Sequence, residues 1–173
     1  MAILKVYKYP HAVLRQPCLP VEAFDETLKQ IVADMTETMY SFGGAVGLAA
    51  PQVGVTQRII VIDTAAKTTR DRQMILINPV IIKSSRNKQV REGCLSFPEY
   101  LANVKRATKL TVQAYDASGT PQTFDVEGLE AVAVQHEIDH LDGVLMIDRI
   151  NSLKTDWIRR HQTAPIQETP ASI

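Results

Sequence analysis

The chain has 173 residues, and its 45% hydrophobic and 22% charged residues are typical of a globular domain with its own core. Its 19 basic and 19 acidic residues cancel, so the overall charge does not favour nucleic acid or an anionic membrane as a partner. No apolar run is long enough to span a bilayer, and the first residues lack the pattern of a secretory signal. Cys18 and Cys94 do not make a disulfide framework in a chain of this size, so we expect a cytoplasmic protein. We predict one domain over residues 1–162 and a flexible tail over residues 163–173.

The first predicted element is a helix that begins after Asp25. Aspartate is a favoured N-cap residue, and apolar residues follow it at helical spacing as far as Met39. The pair Gly43-Gly44 is expected to end this helix, because glycine commonly follows the last helical turn.

Strands are predicted next, from runs of β-branched residues and from alternating apolar positions. They are expected at residues 59–62, 74–77, 80–82, 110–114 and 123–126. Asn78-Pro79 should break or bulge the second run, since proline cannot donate to a strand ladder. The sequence DASG at residues 116–119 predicts a turn between the last two strands.

A second helix is predicted over residues 129–141 and ends at Asp142-Gly143. Apolar residues cover most of its surface, which is typical of a helix inside a core. A short amphipathic helix is expected around residues 153–158. The order of elements favours an α+β fold with mainly antiparallel sheets packed around a central helix, an N-terminal helix and a C-terminal helix or tail.

The sequence HEIDH at residues 136–140 is the strongest functional motif. On a helix, residues four apart lie on one face, so His136 and His140 can reach the same metal ion. In H-E-x-x-H motifs the glutamate, here Glu137, serves as general base toward a metal-bound water. A pair of buried, hydrogen-bonded histidines is the alternative, but isolated buried polar groups are costly.

A catalytic metal site needs three protein ligands and one open position. The extended motif H-E-x-x-H-x-x-G-x-x-H fails here, because Met146 stands at the last histidine position. Cys94, in the sequence EGCLS after a predicted strand, is a candidate third ligand because thiolates bind divalent transition metals well. Taken alone it would be interpreted as a small buried apolar residue.

A third segment, GLAAPQ at residues 47–52, combines a tight turn with small residues and an amide side chain. By itself it is typical of a helix-to-strand connection with Gln52 in solvent. Beside a metal site, Gln52 becomes a candidate donor to a developing oxyanion.

These three segments together resemble the peptide deformylase family, which carries G-x-G-L-A-A-x-Q, E-G-C-L-S and Q-H-E-x-D-H-L in this order. Here they stand as AVGLAAPQ at residues 45–52, EGCLS at residues 92–96 and QHEIDHL at residues 135–141. The resemblance extends over nearly the whole chain. It implies an α+β deformylase fold and removal of the formyl group from the N-terminal formylmethionine of nascent proteins, with release of formate.

The resemblance also implies the cofactor and the partners. Fe²⁺ would be the natural metal, with one ion per chain and with Zn²⁺, Ni²⁺ or Co²⁺ as substitutes. Physical reasoning supports this type of site but does not choose among the metals. The implied partners are N-formylmethionyl nascent chains and, as a further candidate, the ribosome.

In the implied mechanism, Cys94, His136 and His140 hold the ion, and a hydroxide bound to it attacks the formyl carbon. Glu137 accepts the proton and delivers it to the leaving amine. The amide of Gln52 and the backbone N–H of Leu95 are expected to stabilise the negative charge on the formyl oxygen.

The substrate-binding residues are predicted less directly. Gly47 is expected to present its backbone to the substrate. The walls of the methionine pocket are predicted to be Val46, Leu129, Val132 and Ala133, the last three because they continue the face of the two histidines.

Two positions depart from the family motifs, and three polar residues near the motifs are candidates for supporting roles. Ala45 replaces the first glycine of the family motif, and Leu101 stands where some members have an arginine, so one contact with the peptide backbone does not carry over. An ion pair between Glu92 and Arg106, or another arginine, is hypothesised to anchor the cysteine segment. Asp139 and Gln135 are explained equally well as residues that orient the ligands or as part of a solvated helix edge.

Two other functions are considered. A zinc endopeptidase would need a third ligand downstream of the histidines and would cleave internal peptide bonds. A structural metal module, or a silent relative that binds nascent chains, would be expected to lose Glu137 or Gln52, yet both are present.

Overall fold

Residues 2–160 are described by a computed structural model and contain two α-helices and six strands. The elements are α1 (Glu26–Ser41), β1 (Gly47–Ala49), β2 (Ile59–Asp63), β3 (Gln73–Cys94), β4 (Phe97–Tyr115), β5 (Pro121–Glu127), α2 (Leu129–Leu141) and β6 (Trp157–Arg159). The strands form one sheet in the order β1-β2-β3-β4-β5, and β6 pairs with β4. Every pairing between these strands is antiparallel, which confirms the predicted α+β class. Neither helix of the described range has the length and the apolar stretch that a membrane crossing requires.

Helix α1 begins and ends close to the predicted positions. The carboxylate of Asp25 accepts a hydrogen bond from the backbone N–H of Leu28 at 3.0 Å, as an N-cap does. The helix ends because Phe42 takes an extended backbone conformation, with φ −90° and ψ 102°. Gly43 and Gly44 follow the end of the helix, but neither adopts the left-handed conformation for which glycine is usually selected.

Strands β3 and β4 form a long ribbon that leads to the functional segment. The predicted irregularity at Asn78-Pro79 is a bulge, where the register with β4 shifts between Ile77 and Val80 and Asn78 has a φ of 51°. The side chain of Asn78 bonds both backbone groups of Val21, at 2.8 Å and 2.9 Å, which stabilises this conformation. At the other end the ribbon turns at residues 95–96 and places Cys94 opposite Phe97.

Helix α2 has the bounds that the sequence predicts and packs against the sheet. Eight of its 13 residues are buried: Ala131, Ala133, Val134, His136, Glu137, Asp139, His140 and Leu141. Gly143 has a φ of 71°, and a Cβ there would lie 2.6 Å from the carbonyl oxygen of Arg15. The predicted end of the helix is therefore confirmed, and it is tied to the N-terminal segment.

The predicted C-terminal helix around residues 153–158 is wrong. Trp157 begins β6, which pairs with Tyr100 to Ala102 of β4. The indole stacks on Tyr100 with ring centroids 4.9 Å apart and meets Phe97 edge-on at 5.3 Å. These aromatic contacts and the ladder hydrogen bonds outweigh the weak helical periodicity. The predicted tail at residues 163–173 lies outside the described residues, so the domain boundary at residue 162 stays a prediction.

Candidate active site

The structure brings Cys94, His136 and His140 together although they come from two distant parts of the chain. Their candidate ligand atoms all lie within 4.8 Å of one another, and the three residues are buried. The two imidazoles stand one helical turn apart on α2, with ring centroids at 5.1 Å and an interplanar angle of 78°. Cys94 Sγ lies 3.2 Å from His140 Nε2. The cluster was expected from the spacing of the histidines and from the cysteine motif.

Glu92 orients His136 within this cluster. One of its carboxylate oxygens lies 2.8 Å from His136 Nδ1, which leaves Nε2 as the nitrogen that can bind a metal. Burial raises the pKa of Glu92, but hydrogen bonds with His136 and Arg106 outweigh that effect and lower the pKa to about 2. Glu92 is therefore an anion inside the fold.

Arg106 joins this carboxylate to a second one on α2. Its guanidinium donates to Glu92 at 3.1 Å and to Asp139 at 2.6 Å, and all three side chains are buried. Arg149 binds the other oxygen of Asp139 at 2.6 Å. The hypothesised pair of Glu92 with Arg106 is confirmed. The interpretation of Asp139 as part of a solvated helix edge is wrong, because two arginines hold it inside the protein.

Gln135 also binds the neighbouring strand rather than solvent. Its amide accepts a hydrogen bond from the backbone N–H of Ala107 at 3.1 Å and donates to the carbonyl oxygen of the same residue at 2.8 Å. This pair of bonds attaches α2 to β4 directly before the first histidine of the motif. The solvated-edge interpretation is therefore wrong for Gln135 as well.

Glu137 lies beside the cluster, in a position that leaves no room for a side chain at residue 47. A Cβ on Gly47 would be 2.5 Å from Glu137 Oε1, so the glycine in β1 makes room for the carboxylate. Burial raises the pKa of Glu137, although the nearby His136 and His140 act in the opposite direction. Within residues 2–160, the second carboxylate oxygen, Oε2, is buried and has no hydrogen-bond partner.

Gln52 is also buried, and its orientation is defined by hydrogen bonds at both ends of the amide. The oxygen accepts from the backbone N–H of Ala49 at 2.9 Å, so the nitrogen faces the cysteine turn. That nitrogen lies 3.2 Å from Ser96 Oγ and 3.6 Å from Cys94 Sγ. Leu95 occupies the turn between Cys94 and Ser96.

The donor set suits a divalent transition metal, because a thiolate and two imidazoles are ligands that such ions prefer. Burial opposes ionisation of the Cys94 thiol, but His140 and His136 outweigh it and hold the pKa well below its usual value. His140 Nδ1 and Glu137 Oε2 are buried polar atoms without a partner in the described range, and native proteins contain few such atoms. The residues present therefore fit a resident metal ion.

The predicted pocket residues differ in their surroundings. Val46 packs against the core cluster that contains Ala133. Val132 is half-buried on α2, whereas Leu129, at the start of the helix, is 55% exposed. Ala45 is half-buried and does not have the positive φ that would favour glycine, so the alanine causes no backbone strain there. The roles of these residues in substrate binding stay predictions.

Two contributors to the site were not expected from the sequence. Arg149 completes the charge network around Asp139, and Ser96 links Gln52 to the N-terminal segment by donating to the carbonyl oxygen of Tyr7 at 2.9 Å. Ser96 stands inside the EGCLS motif, so its position was a usable signal. Arg149 belongs to no motif, and nothing in the sequence distinguishes it from other arginines.

Comparisons with known proteins agree with this geometry. Residues 3–156 match the family model described as polypeptide deformylase. A peptide deformylase of Acidobacterium capsulatum is 48% identical over 160 residues, covering 92% of this chain and 94% of that protein. One of Rhizobium meliloti is 43% identical over 164 residues, covering 94% of each chain.

Solved structures extend the likeness to the fold. A peptide deformylase from Legionella pneumophila has a TM-score of 0.84 and 45% identity, covering 88% of this chain and 89% of that one. The enzyme from Thermotoga maritima has a TM-score of 0.82 and 39% identity, covering 88% of this chain and all of that one. The motifs, the cluster and these matches agree: the chain belongs to the polypeptide deformylase family.

Proposed function

We propose that this metallohydrolase removes the formyl group from the N-terminal formylmethionine of newly made proteins and releases formate. The observation that carries the proposal is the buried group of Cys94, His136 and His140 with the carboxylate of Glu137 beside it. Membership of the deformylase family supports the same reaction.

Cys94, His136 and His140 would hold one ion per chain. When bound, the ion would lower the pKa of a water molecule and polarise the formyl carbonyl. We propose Fe²⁺ as the natural ion, with Zn²⁺, Ni²⁺ or Co²⁺ as substitutes. Sulfur and imidazole donors support the class of metal, and the choice of iron rests on the resemblance to the family.

Glu137 is proposed as the group that moves the proton. It accepts a proton from the attacking water and later gives it to the amine of methionine as the C–N bond breaks. Its unpaired Oε2 atom supports this role, because a carboxylate engaged in a structural ion pair would have no oxygen available. Burial also raises its pKa, which makes it a better base than an exposed glutamate.

Gln52 and the backbone N–H of Leu95 are proposed to stabilise the negative charge that develops on the formyl oxygen. The bond from Ala49 N–H to the amide oxygen of Gln52 turns the NH₂ group toward Cys94. A donor that is already oriented does not need to reorganise during the reaction, which is the source of its effect.

The side chain of the formylmethionine would lie along the apolar face next to the histidines. We propose that Gly47 offers backbone contacts and that the walls of the pocket are Val46, Leu129, Val132 and Ala133. The packing of Val46 against the cluster that contains Ala133 supports part of this wall. The exposed side chain of Leu129 would become covered only when a substrate is bound.

We place the reaction in the cytoplasm, where newly made formylated chains emerge from the ribosome. Both cysteines are free thiols in the structure, and Cys18 is buried in the core, where burial raises its pKa to about 11. Free thiols agree with a reducing compartment. Because formylated chains emerge from the ribosome, we propose that the enzyme meets its substrate there.

The function is tested by measuring formate release from formyl-Met-Ala-Ser together with the metal content of the purified protein. We expect turnover that is lost after chelation and restored by Fe²⁺. Full activity after thorough chelation, or cleavage of an unformylated protein without formate release, would contradict the proposal. The second outcome would favour the endopeptidase alternative.

The ligand assignment has its own test in Cys94→Ser. Because the hydroxyl is a poorer ligand than a thiolate, we expect less bound metal per chain than in the wild-type protein. Cys18→Ser is the matched control, since Cys18 is buried elsewhere and should leave the metal content unchanged. Equal metal content in both variants would exclude Cys94 as a ligand.

A further inference from the structure

An arginine near the C-terminal end of the described residues lies against the strand that carries the metal-binding cysteine. Gly93 directly precedes Cys94 at the end of β3 and is exposed. A Cβ on Gly93 would overlap the guanidinium of Arg160, whose central carbon lies 3.5 Å from that position. The Cδ2 atom of Leu101, the partner of Gly93 in β4, lies 3.2 Å from the same position. The absence of a side chain at Gly93 therefore admits a positive charge next to the site.

The backbone of Arg160 is held in place although its side chain is exposed. Strand β6 pairs Arg159 with Tyr100, and the backbone N–H of Arg160 then donates to the carbonyl oxygen of Glu99 at 2.8 Å. The two neighbouring arginines differ in what their side chains reach. Arg159 lies 3.4 Å from the carboxylate of Glu99, whereas within residues 2–160 the guanidinium of Arg160 has no hydrogen-bond or ion-pair acceptor.

Within residues 2–160, the strand beneath this guanidinium has an open edge. Residues 80–94 of β3 pair with β4 on one side, while β2 pairs only with residues 73–77. Such an edge presents backbone N–H and C=O groups to which an extended peptide can bond. A chain whose first residue is at the metal cluster and that continues along this edge would pass Gly93, within reach of the Arg160 donors.

We infer that Arg160 is a substrate-binding residue that donates hydrogen bonds to a backbone carbonyl of the substrate, one or two residues after the formylmethionine. This inference rests on the proposed function, because it takes the substrate to be a formylated peptide. The contact recognises the backbone rather than a side chain, so it suits an enzyme that processes chains of many sequences. The planar guanidinium offers several donors in one fork, which a lysine does not.

The experiment compares the metal-loaded wild-type enzyme with Arg160→Ala and Arg159→Ala. The substrates are formyl-Met-Ala-Ser amide and formyl-Met amide, because only the first has peptide carbonyls after the methionine and both lack a free carboxylate. For the longer peptide we expect Arg160→Ala to raise KM on the order of tenfold, since a charged donor is lost, and to change kcat by less than about twofold. On formyl-Met amide the effect should shrink to less than about twofold.

Arg159→Ala is the matched control, because it removes a neighbouring positive charge of the same strand that is directed at Glu99. It should change KM for the longer peptide by less than about twofold, whereas Arg160→Lys should give an intermediate value. An equal effect of Arg160→Ala on both substrates, or an equal effect of Arg159→Ala, would overturn the inference, because general electrostatics or folding would then explain the result.

Binding measured without chemistry separates this inference from the proposed function. Calorimetric titration with the unformylated product, Met-Ala-Ser amide, should show a Kd that rises with Arg160→Ala by the same factor as KM. If the wild-type enzyme released no formate, the proposed function would fail, and the titration would still decide the role of Arg160. An unchanged Kd in the variant would reject it.

Discussion

The two sides of α2 differ in whether their buried polar groups have hydrogen-bond partners. On the side that carries His136 and His140, called the open side below, Glu137 Oε2 and His140 Nδ1 have no hydrogen-bond partner within residues 2–160. On the other side, called the paired side below, both oxygens of Asp139 are bound by arginines, and Gln135 bonds both backbone groups of Ala107. A buried polar atom without a partner costs free energy, whereas the hydrogen bonds on the paired side stabilise the position of the helix. The difference is what we expect if the open side carries out the proposed chemistry.

An unpaired atom alone does not identify a site. Glu37 Oε2 on α1 is also buried without a partner in the described range, and Glu37 is not part of the cluster of candidate metal ligands. What distinguishes α2 is the coincidence of unpaired atoms with three potential ligands and with a neighbour, Gly47, that leaves room for the carboxylate. The contrast between the two sides of α2 can be tested by substitutions on each of them.

The largest effect is expected from Glu137→Gln on the open side. The amide keeps the shape of the side chain but is a poor base, so kcat should fall by roughly 10²–10⁴-fold. Metal content and thermal stability should stay near wild type, because no bond in the described residues depends on Oε2. Formate release and metal analysis of the same sample check both statements. Turnover close to wild type would remove Glu137 as the base.

The next largest effect is expected from Arg106→Met, which removes a partner of Asp139 on the paired side. The substitution leaves Glu92 and Asp139 as buried carboxylates that share one fewer cation. Breaking a buried ion pair in this way destabilises by about 3–5 kcal/mol, measured as the free energy of unfolding in urea. Lys109→Met removes the cation of an exposed pair with Glu127 and should have no measurable effect. Similar losses of unfolding free energy in Arg106→Met and Lys109→Met would show that burial does not decide how much an ion pair contributes to stability.

A smaller effect is expected from Glu92→Gln. Glu92 contacts His136 on the open side of α2 and also binds Arg106, which contacts Asp139 on the paired side. Loss of the carboxylate that orients His136 should weaken metal affinity by about 10–100-fold, measured by competition with a chelator. Stability should also fall, because Arg106 loses one of its two partners. If metal affinity were unchanged while stability fell, Glu92 would stabilise the fold through Arg106 without orienting His136 for metal binding.

The smallest effect is expected from Gln135→Ala. Two hydrogen bonds to the buried residue Ala107 are lost, so the free energy of unfolding should fall by about 1–2 kcal/mol. Once metal is bound, kcat should be close to wild type, because Gln135 does not contact the cluster. A large loss of kcat would show that this attachment of α2 positions the histidines as well as stabilising the fold.

Much of the fold and of the site was predictable because the signals are local. The bounds of α2 follow from its apolar pattern and from Gly143, and the bulge in β3 follows from Asn78-Pro79. The cluster was predictable because the spacing of His136 and His140 is a property of the helix itself. Cys94 could be added because a thiolate is a strong ligand for a divalent transition metal and the histidine pair lacked a third ligand.

The errors came from contacts between residues that are far apart in the sequence. Asp139 was open to interpretation as a solvated residue because its partner Arg106 is 33 positions away and lies on a strand. Trp157 was assigned to a helix because its stacking partner, Tyr100, is distant in the chain. Periodicity reports which face of an element is apolar, but it does not report which charged residue lies opposite.

The sequence by itself determined the helices, most of the strands and the three motifs, because capping, turn geometry and side-chain spacing act over a few residues. Only the tertiary structure decided which polar side chains are paired, that β6 extends the sheet, and that Arg160 lies against Gly93. These features depend on contacts between segments that are far apart in the sequence. Among them, a buried charge is stable only if a partner from another element reaches it.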